Sequence, residues 1–368
     1  MRHTFAEVNL AHLQNNFLSI RKKVKSAKVM AVIKADAYGH GAYECAKSLI
    51  ELGGNKPDYM ALALLEEAVD LRKAGIKLPA LCFAPFSKED INDYVKHDIN
   101  ATIFTDEHLK IISAAKDKKI KAHIKIDTGM GRLGVRFNEA YEFIKRAAQI
   151  KNLSINGIYT HFATSDEKDK TFAIEQLRRF KDIIDALKRD GINYGLAHCA
   201  NSGAILDMQD SYMDMVRPGI ILYGYYPSKE TSESIKLNPV MTVFSELDTV
   251  KEFTKGDSVS YGRKHYIRRK EMIASVAFGY ADGYLRGLSN NACGIIRGQL
   301  YRQIGSICMD RSMFDVTEGN FEAGERIILL GSSKNVKFNA GDWADILNTI
   351  PYEILCGISK RVPRIYTK

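Results

Sequence analysis

Between residues 29 and 223 the chain alternates in texture. Short runs of apolar and β-branched residues occur at 29–34 (VMAVIK), 59–64 (YMALAL), 79–84 (PALCFA), 100–104 (NATIF), 121–126 (KAHIKI), 153–160 (LSINGIYT), 194–199 (YGLAHC) and 213–216 (MDMV). Longer segments with helical periodicity separate them, for example 43–52 and 172–188. The short runs predict strands and the periodic segments predict helices. Eight strands joined by helical crossovers predict a parallel sheet, closed as a TIM-type (β/α)8 barrel. An open doubly wound sheet is the competing arrangement. It is usually marked by G-x-G-x-x-G after the first strand, and this sequence has none there.

After about residue 235 the pattern changes. Runs at 240–247, 272–278, 291–296, 313–317 and 326–331 are separated by Gly, Asp and Asn, which predicts antiparallel β structure with tight turns. A last helical stretch, 342–347, precedes the break at Pro351. The polar segment 227–238 marks the expected boundary, giving a barrel over 1–235 and a mostly antiparallel β domain over 236–368.

Composition narrows the function classes. The 368 residues suit a barrel of roughly 200–250 residues plus a smaller domain. The net charge of +9 comes from lysines and arginines interleaved with acids, so a solvated basic surface is expected and no nucleic-acid partner. The six cysteines form no Cys-x-x-Cys pair and no zinc-spaced cluster with histidine, so no metal is expected. Scattered thiols suit a reducing compartment. No stretch approaches the ~20 apolar residues of a membrane helix, and the N-terminus lacks a signal-peptide core, so the expectation is a cytoplasmic protein without a membrane partner.

Candidate chemistry gathers where strands end. The first strand runs into A-V-I-K-A-D-A-Y-G-H-G. A lysine whose stem is buried and whose amine lies at a barrel mouth can have a depressed pKa and can then hold an aldehyde as a Schiff base; a solvated strand cap is the commoner role for such a lysine. Two glycines after Tyr38 permit a tight turn and close backbone approach. The fifth strand leads into K-I-D-T-G-M-G-R-L-G, which displays Arg132 on a glycine-rich turn; its donor fork suits carboxylate or phenolate oxygens. The sixth ends at His161. Asn201 and Ser202 follow the seventh and read as a helix cap or as a phosphate site. Arg217-Pro218-Gly219-Ile220 follows the eighth, where a barrel phosphate usually sits, and Arg217 is expected to point from the barrel mouth.

These motifs, in this order and essentially end to end, resemble the alanine racemases, which use pyridoxal 5'-phosphate. The resemblance implies Lys34 as the cofactor-bearing amine and Tyr38, Ser202, Gly219, Ile220 and Tyr352 at the phosphate. It sets Arg217 against the pyridine nitrogen and His161 beside the ring. Arg132 is implied at the substrate carboxylate and the cofactor's phenolic oxygen, with Lys125, often carbamylated in the family, holding that arginine. In the second domain, V-S-Y-G-R-K-H implies Tyr261 as the second base, and G-S-I-C-M-D-R implies Met309 and Asp310 lining the substrate site. Many members carry Arg where this chain has Ser306, and Gln where it has Arg311. The implied reaction is two-base interconversion of L- and D-alanine, supplying D-alanine for peptidoglycan. The implied assembly is a homodimer with shared sites. Serine or broad-specificity racemisation is the nearer alternative. A decarboxylase of the same framework is the more distant one, and it would place a cysteine where Tyr261 stands.

Overall fold

The computed structural model describes residues 3–85, 87–115 and 117–368. Contacts divide the chain into two compact units. One holds Leu13–Ala37 and Ala42–Asn238; the other holds the residues up to His12, the segment Tyr38–Gly41, and Pro239–Lys368.

The first unit is a parallel barrel. Its eight strands are Lys28–Val32, Tyr59–Leu62, Ala80–Cys82, Ile99–Ile103, Ile120–Asp127, Leu153–Tyr159, Leu196–His198 and Met215–Val216. The first seven pair in chain order, and the eighth pairs with the first, Met215 opposite Lys28. The seventh and eighth approach through Asp214 N to Ala197 O (3.2 Å) and Arg217 N to Ala200 O (2.8 Å), so the ring is nearly closed. Strands covered on both faces read as continuous apolar runs, and all five residues of Ile99–Ile103 are buried. The helix Thr171–Arg189 shows the covering logic. Ala173, Leu177, Phe180, Ile184 and Leu187 recur every three or four positions and are buried, while arginines and acids take the other face.

The fifth strand is unusual for a core strand. His123, Lys125 and Asp127 alternate along it, share one face by the two-residue period, and are all buried. That polar ladder climbs toward the C-terminal end of the barrel, where parallel-barrel sites form.

The second unit is mostly antiparallel. Met241–Phe253, Glu271–Val276, Ser312–Asp315, Gln299–Ile304, Cys293–Ile296 and Arg326–Ser333 pair in that order, and the last returns to Met241–Phe253 to close a ring. Phe5–Asn9 extends this sheet, antiparallel to Met241–Phe253 and parallel to Arg364–Thr367. Its alternating burial is that of a strand with one face on the core.

Candidate active site

Lys34 follows the first barrel strand and opens a left-handed turn. Ala35, Asp36, Ala37 and Tyr38 all have φ between 52° and 54°, and none is glycine. Left-handed backbone costs roughly 1–2 kcal/mol for each such residue, so the turn persists only because its surroundings hold it. Glu67 anchors the turn's first left-handed residue to the start of the helix Leu65–Lys73. Its carboxylate accepts from the backbone N–H of Ala35 (2.6 Å), Ala63 (2.8 Å) and Leu64 (3.1 Å). Asp36 accepts from Ala42 N at 2.7 Å, closing the far side.

From Tyr38 to Gly41 the chain belongs to the second unit, and the motif's glycines show why. A Cβ on Gly39 would lie 2.5 Å from Leu355 O, and one on Gly41 would lie 1.9 Å from Tyr366 Oη. Arg364 donates to Gly39 O at 3.0 Å. Tyr38 is buried, its ring centroid 5.9 Å from that of Tyr352, and burial pushes its hydroxyl well above the ordinary phenol range.

Arg217 does not project from the barrel mouth; it is only 3% exposed. Its guanidinium turns inward because four acceptors wait there. Nη1 donates to His198 Nδ1 (2.8 Å), and Nη2 donates to Thr160 O (2.6 Å), Cys199 O (3.1 Å) and His161 Nδ1 (3.4 Å). Burial lowers its pKa to about 10, which still leaves it charged at neutral pH. His161 and His198 are both held well below the ordinary imidazole range, by burial first and then by the Arg217 charge, so both stay neutral. With Nδ1 of His161 accepting from Arg217, its proton sits on Nε2.

His198 passes this order on. Its Nε2 lies 2.8 Å from His123 Nδ1, and Tyr159 stacks on it at 5.0 Å with ring planes 2° apart. A Cβ on Gly157 would lie 2.4 Å from His123 Nδ1, so only glycine leaves room for the pair.

Lys125 is 5% exposed, and its amine donates to Ile126 O at 3.1 Å and sits 5.2 Å over the Tyr159 ring. Burial, then the Arg217 charge, lowers its pKa to about 7. Asp127 shapes the glycine-rich turn beyond. It accepts from Gly129 N (3.0 Å), Gly131 N (3.1 Å) and Arg136 (2.8 Å). That turn leaves Arg132 exposed.

Asn201 caps the helix Ser202–Asp207, its side chain accepting from Ala204 N at 3.1 Å. Ser202 is 4% exposed, and its Oγ accepts from Gly219 N at 3.0 Å. The hydroxyl hydrogen of Ser202 therefore remains to be donated, beside Ile220, which opens the next helical turn.

In the second unit a cavity of about 620 Å³ is lined by Ser260, Tyr261, Met309, Asp310 and Arg311, among others. Tyr261 is 71% exposed and Met309 53%. Asp310 accepts from Arg361 at 2.8 Å, and Arg361 also lies 3.6 Å from the fully buried Asp282. Arg311 pairs with Asp248.

The structure thus groups Lys125, His161 and Arg217, with Arg132 and Lys34 among the charges acting on His161. It sets Ser202 against Gly219, Tyr38 against Tyr352, and Tyr261 with Met309 and Asp310. Sequence reasoning does not find Glu67, His123 or His198. The one available signal was polar residues at alternating positions inside an otherwise apolar strand. Among the described residues no group of three or more His, Cys, Asp or Glu side chains could hold a metal ion.

Comparison with known proteins agrees with this geometry. The family model for the alanine racemase N-terminal domain matches residues 8–227, and that for the C-terminal domain matches residues 240–366. Alanine racemase 2 of Caldanaerobacter subterraneus subsp. tengcongensis is 44% identical, over 100% of this chain and 95% of the relative. The solved alanine racemase of Clostridium difficile 630 is 37% identical with a TM-score of 0.93, covering 100% of this chain and 96% of that one. The Bacillus anthracis enzyme with bound L-Ala-P is 33% identical with a TM-score of 0.91, covering 100% and 96%. With matches of this extent in both sequence and structure, the chain belongs to the alanine racemase family.

Proposed function

We propose that Lys34 and Tyr261 carry the Cα proton of alanine on and off opposite faces, and that this is how the chain interconverts L- and D-alanine. Racemisation needs removal from one face and delivery to the other. Two groups do this without either swinging around the substrate.

The family depends on pyridoxal phosphate, and the donor set fits that cofactor. A half-buried amine suits an aldehyde, a buried charged guanidinium suits a ring nitrogen, and a serine hydroxyl with helix-opening amides suits a phosphate. When bound, the cofactor withdraws electrons from Cα and so acidifies its hydrogen. Lys34 would hold it, with Ser202, Gly219, Ile220, Tyr38 and Tyr352 at the phosphate. Arg132 would orient the substrate carboxylate, aided by Met309 and Asp310. Arg217 supplies fixed charge without acting as an acid, because it keeps its proton at neutral pH. Neutral His161 presents Nε2–H, a donor suited to steady a phenolate.

The observation that carries this reading is the strained Lys34 turn, four consecutive left-handed non-glycine residues anchored by Glu67 at Ala35 and by Ala42 N at Asp36. Such strain is retained where it aims a functional side chain. The high exposure of Tyr261 and Met309 supports a homodimer in which Tyr261 of one protomer completes the site at the other's barrel mouth. Among the described residues no helix is long and apolar enough to cross a membrane, and we place the protein in the cytosol.

Mixing inactive Lys34→Ala and Tyr261→Ala chains tests both the bases and the dimer. Verified exchange at equal concentrations should recover about a quarter of native activity, since half the dimers are hybrid and each hybrid holds one intact site. No recovery after verified exchange overturns the shared site.

A further inference from the structure

We propose that Ser306 is a positioning residue for Tyr261, acting with Ser260 as a two-way brace; this rests on Tyr261 being the second proton-transfer group. Tyr261 is 71% exposed on its own chain, so little packing within that chain fixes its ring, and the direction in which it is presented depends on its backbone. That backbone is strained just before it, where Ser260 has φ 65° and ψ −175°. Two hydroxyls hold the strained turn in opposite directions. Ser260 Oγ donates to Ser306 O at 2.6 Å, and Ser306 Oγ donates to Tyr261 O at 2.9 Å.

The far side of the brace is itself anchored. Gly305 N donates to Asn290 Oδ1 (2.7 Å), Gln303 Nε2 donates to Gly305 O (3.0 Å), and Ile307 N donates to Ser289 Oγ (3.0 Å). Gly305 has φ 71°, and a Cβ there would lie 2.9 Å from Val259 O, so the two segments run too close for a side chain. Ser306 is 1% exposed, whereas the turn it holds faces the open cavity. A short hydroxyl at 306 therefore links a fixed loop to the carbonyl of the residue whose side chain must be aimed.

The test uses the holoenzyme. Tyr261→Phe comes first, and exchange of the Cα hydrogen into D2O should survive with one enantiomer and vanish with the other. Survival with both overturns the Tyr261 reading, and the brace with it. Given the expected asymmetry, Ser306→Ala should lower kcat by about tenfold to a hundredfold, the scale of a misplaced reacting group. KM should stay within about twofold. The primary deuterium isotope effect should rise with the enantiomer Tyr261 serves and fall with the other, because only one proton transfer has slowed. In cofactor-free protein, exchange of the Arg263 amide, bonded to Ser260 O at 3.2 Å, should quicken by at least about tenfold. Ser306→Thr, which keeps the hydroxyl, should restore native isotope effects. If Ser306→Ala does not fold, Ser260→Ala removes the other half of the brace and is read in the same way. Unchanged isotope effects with both enantiomers, whatever happens to kcat, overturn the proposal.

Discussion

Nη1 of Arg217 donates to Nδ1 of His198 at 2.8 Å, and that bond sets the protons of two histidines. An arginine only donates, so His198 Nδ1 must be bare and its proton must sit on Nε2. Nε2 then donates to His123 Nδ1, which moves the His123 proton to its own Nε2. That last nitrogen is buried with no hydrogen-bond partner among the described residues. Charging either histidine would break the chain of bonds, and burial holds His123 down to about 3.

The consequence for stability has a definite sign. Histidines with depressed folded pKa values bind fewer protons folded than unfolded between about pH 3 and 6.5, so stability should fall as pH drops through that window. His198→Phe keeps the ring that stacks on Tyr159 but removes both nitrogens. It leaves one Arg217 donor and the His123 acceptor buried without partners. Urea denaturation at pH 7 should show a loss of about 2–4 kcal/mol and a weaker acid limb. A loss below about 1 kcal/mol would mean that packing, not the bonded chain, stabilises this part of the barrel.

Glu67 offers a second test because one carboxylate ties the Lys34 turn, at Ala35 N, to the Ala63 and Leu64 N–H groups that open its own helix. Glu67→Gln keeps size and shape but replaces one acceptor oxygen with an amide that cannot accept. At least one of those N–H groups loses its partner, at a cost of about 1–3 kcal/mol. The turn would relax from its left-handed geometry, and Lys34 would move with it. We expect a weaker hold on cofactor, read as faster loss of pyridoxal phosphate on dialysis, with Glu67→Asp intermediate. Unchanged retention would show that the turn holds its shape without Glu67.

The barrel was legible because eight buried strands leave eight apolar runs, and the seven crossovers leave helical periodicity between them. The Lys34 turn was legible as a motif but not as a shape. Ala35, Asp36 and Ala37 carry no glycine signal, and the carboxylate that anchors the turn at Ala35 N, Glu67, lies about thirty residues further along the chain. Gly39 and Gly41 were readable as sites of close approach, though the atoms they make room for, Leu355 O and Tyr366 Oη, lie over three hundred residues away in sequence. Arg217 shows the same limit. A Pro-Gly pair after a strand predicts a turn at the barrel mouth, but the side chain's inward direction is set by acceptors at and just beyond the ends of the sixth and seventh strands. Local pattern locates elements; it does not show which distant groups will meet.

Lys125 combines the barrel's electrostatics with a chemical consequence. Its amine is buried beside fixed positive charge, and its pKa is lowered from 10.5 to about 7. A lysine depressed in the folded state binds fewer protons folded than unfolded between about pH 7 and 10.5, so stability should rise with pH across that window. Below pH 7 the burial penalty is fully present and amounts to about 5 kcal/mol by linkage. Lys125→Met should therefore stabilise the protein in buffer free of carbon dioxide, most at pH 6 and least above pH 10. Near neutrality about half the native amine is unprotonated and nucleophilic. We expect Nζ to attack carbon dioxide and lose a proton, leaving a carbamate anion facing the Arg217 and Arg132 charges that depress the amine. With [13C]bicarbonate, carbon NMR should show one carbamate resonance that Lys125→Met lacks, and bicarbonate should raise the native Tm but not that of the variant. A resonance that persists in Lys125→Met would assign the carbamate to another amine. A variant stabilised equally at pH 6 and pH 10 would show that its gain comes from packing rather than from the removed charge.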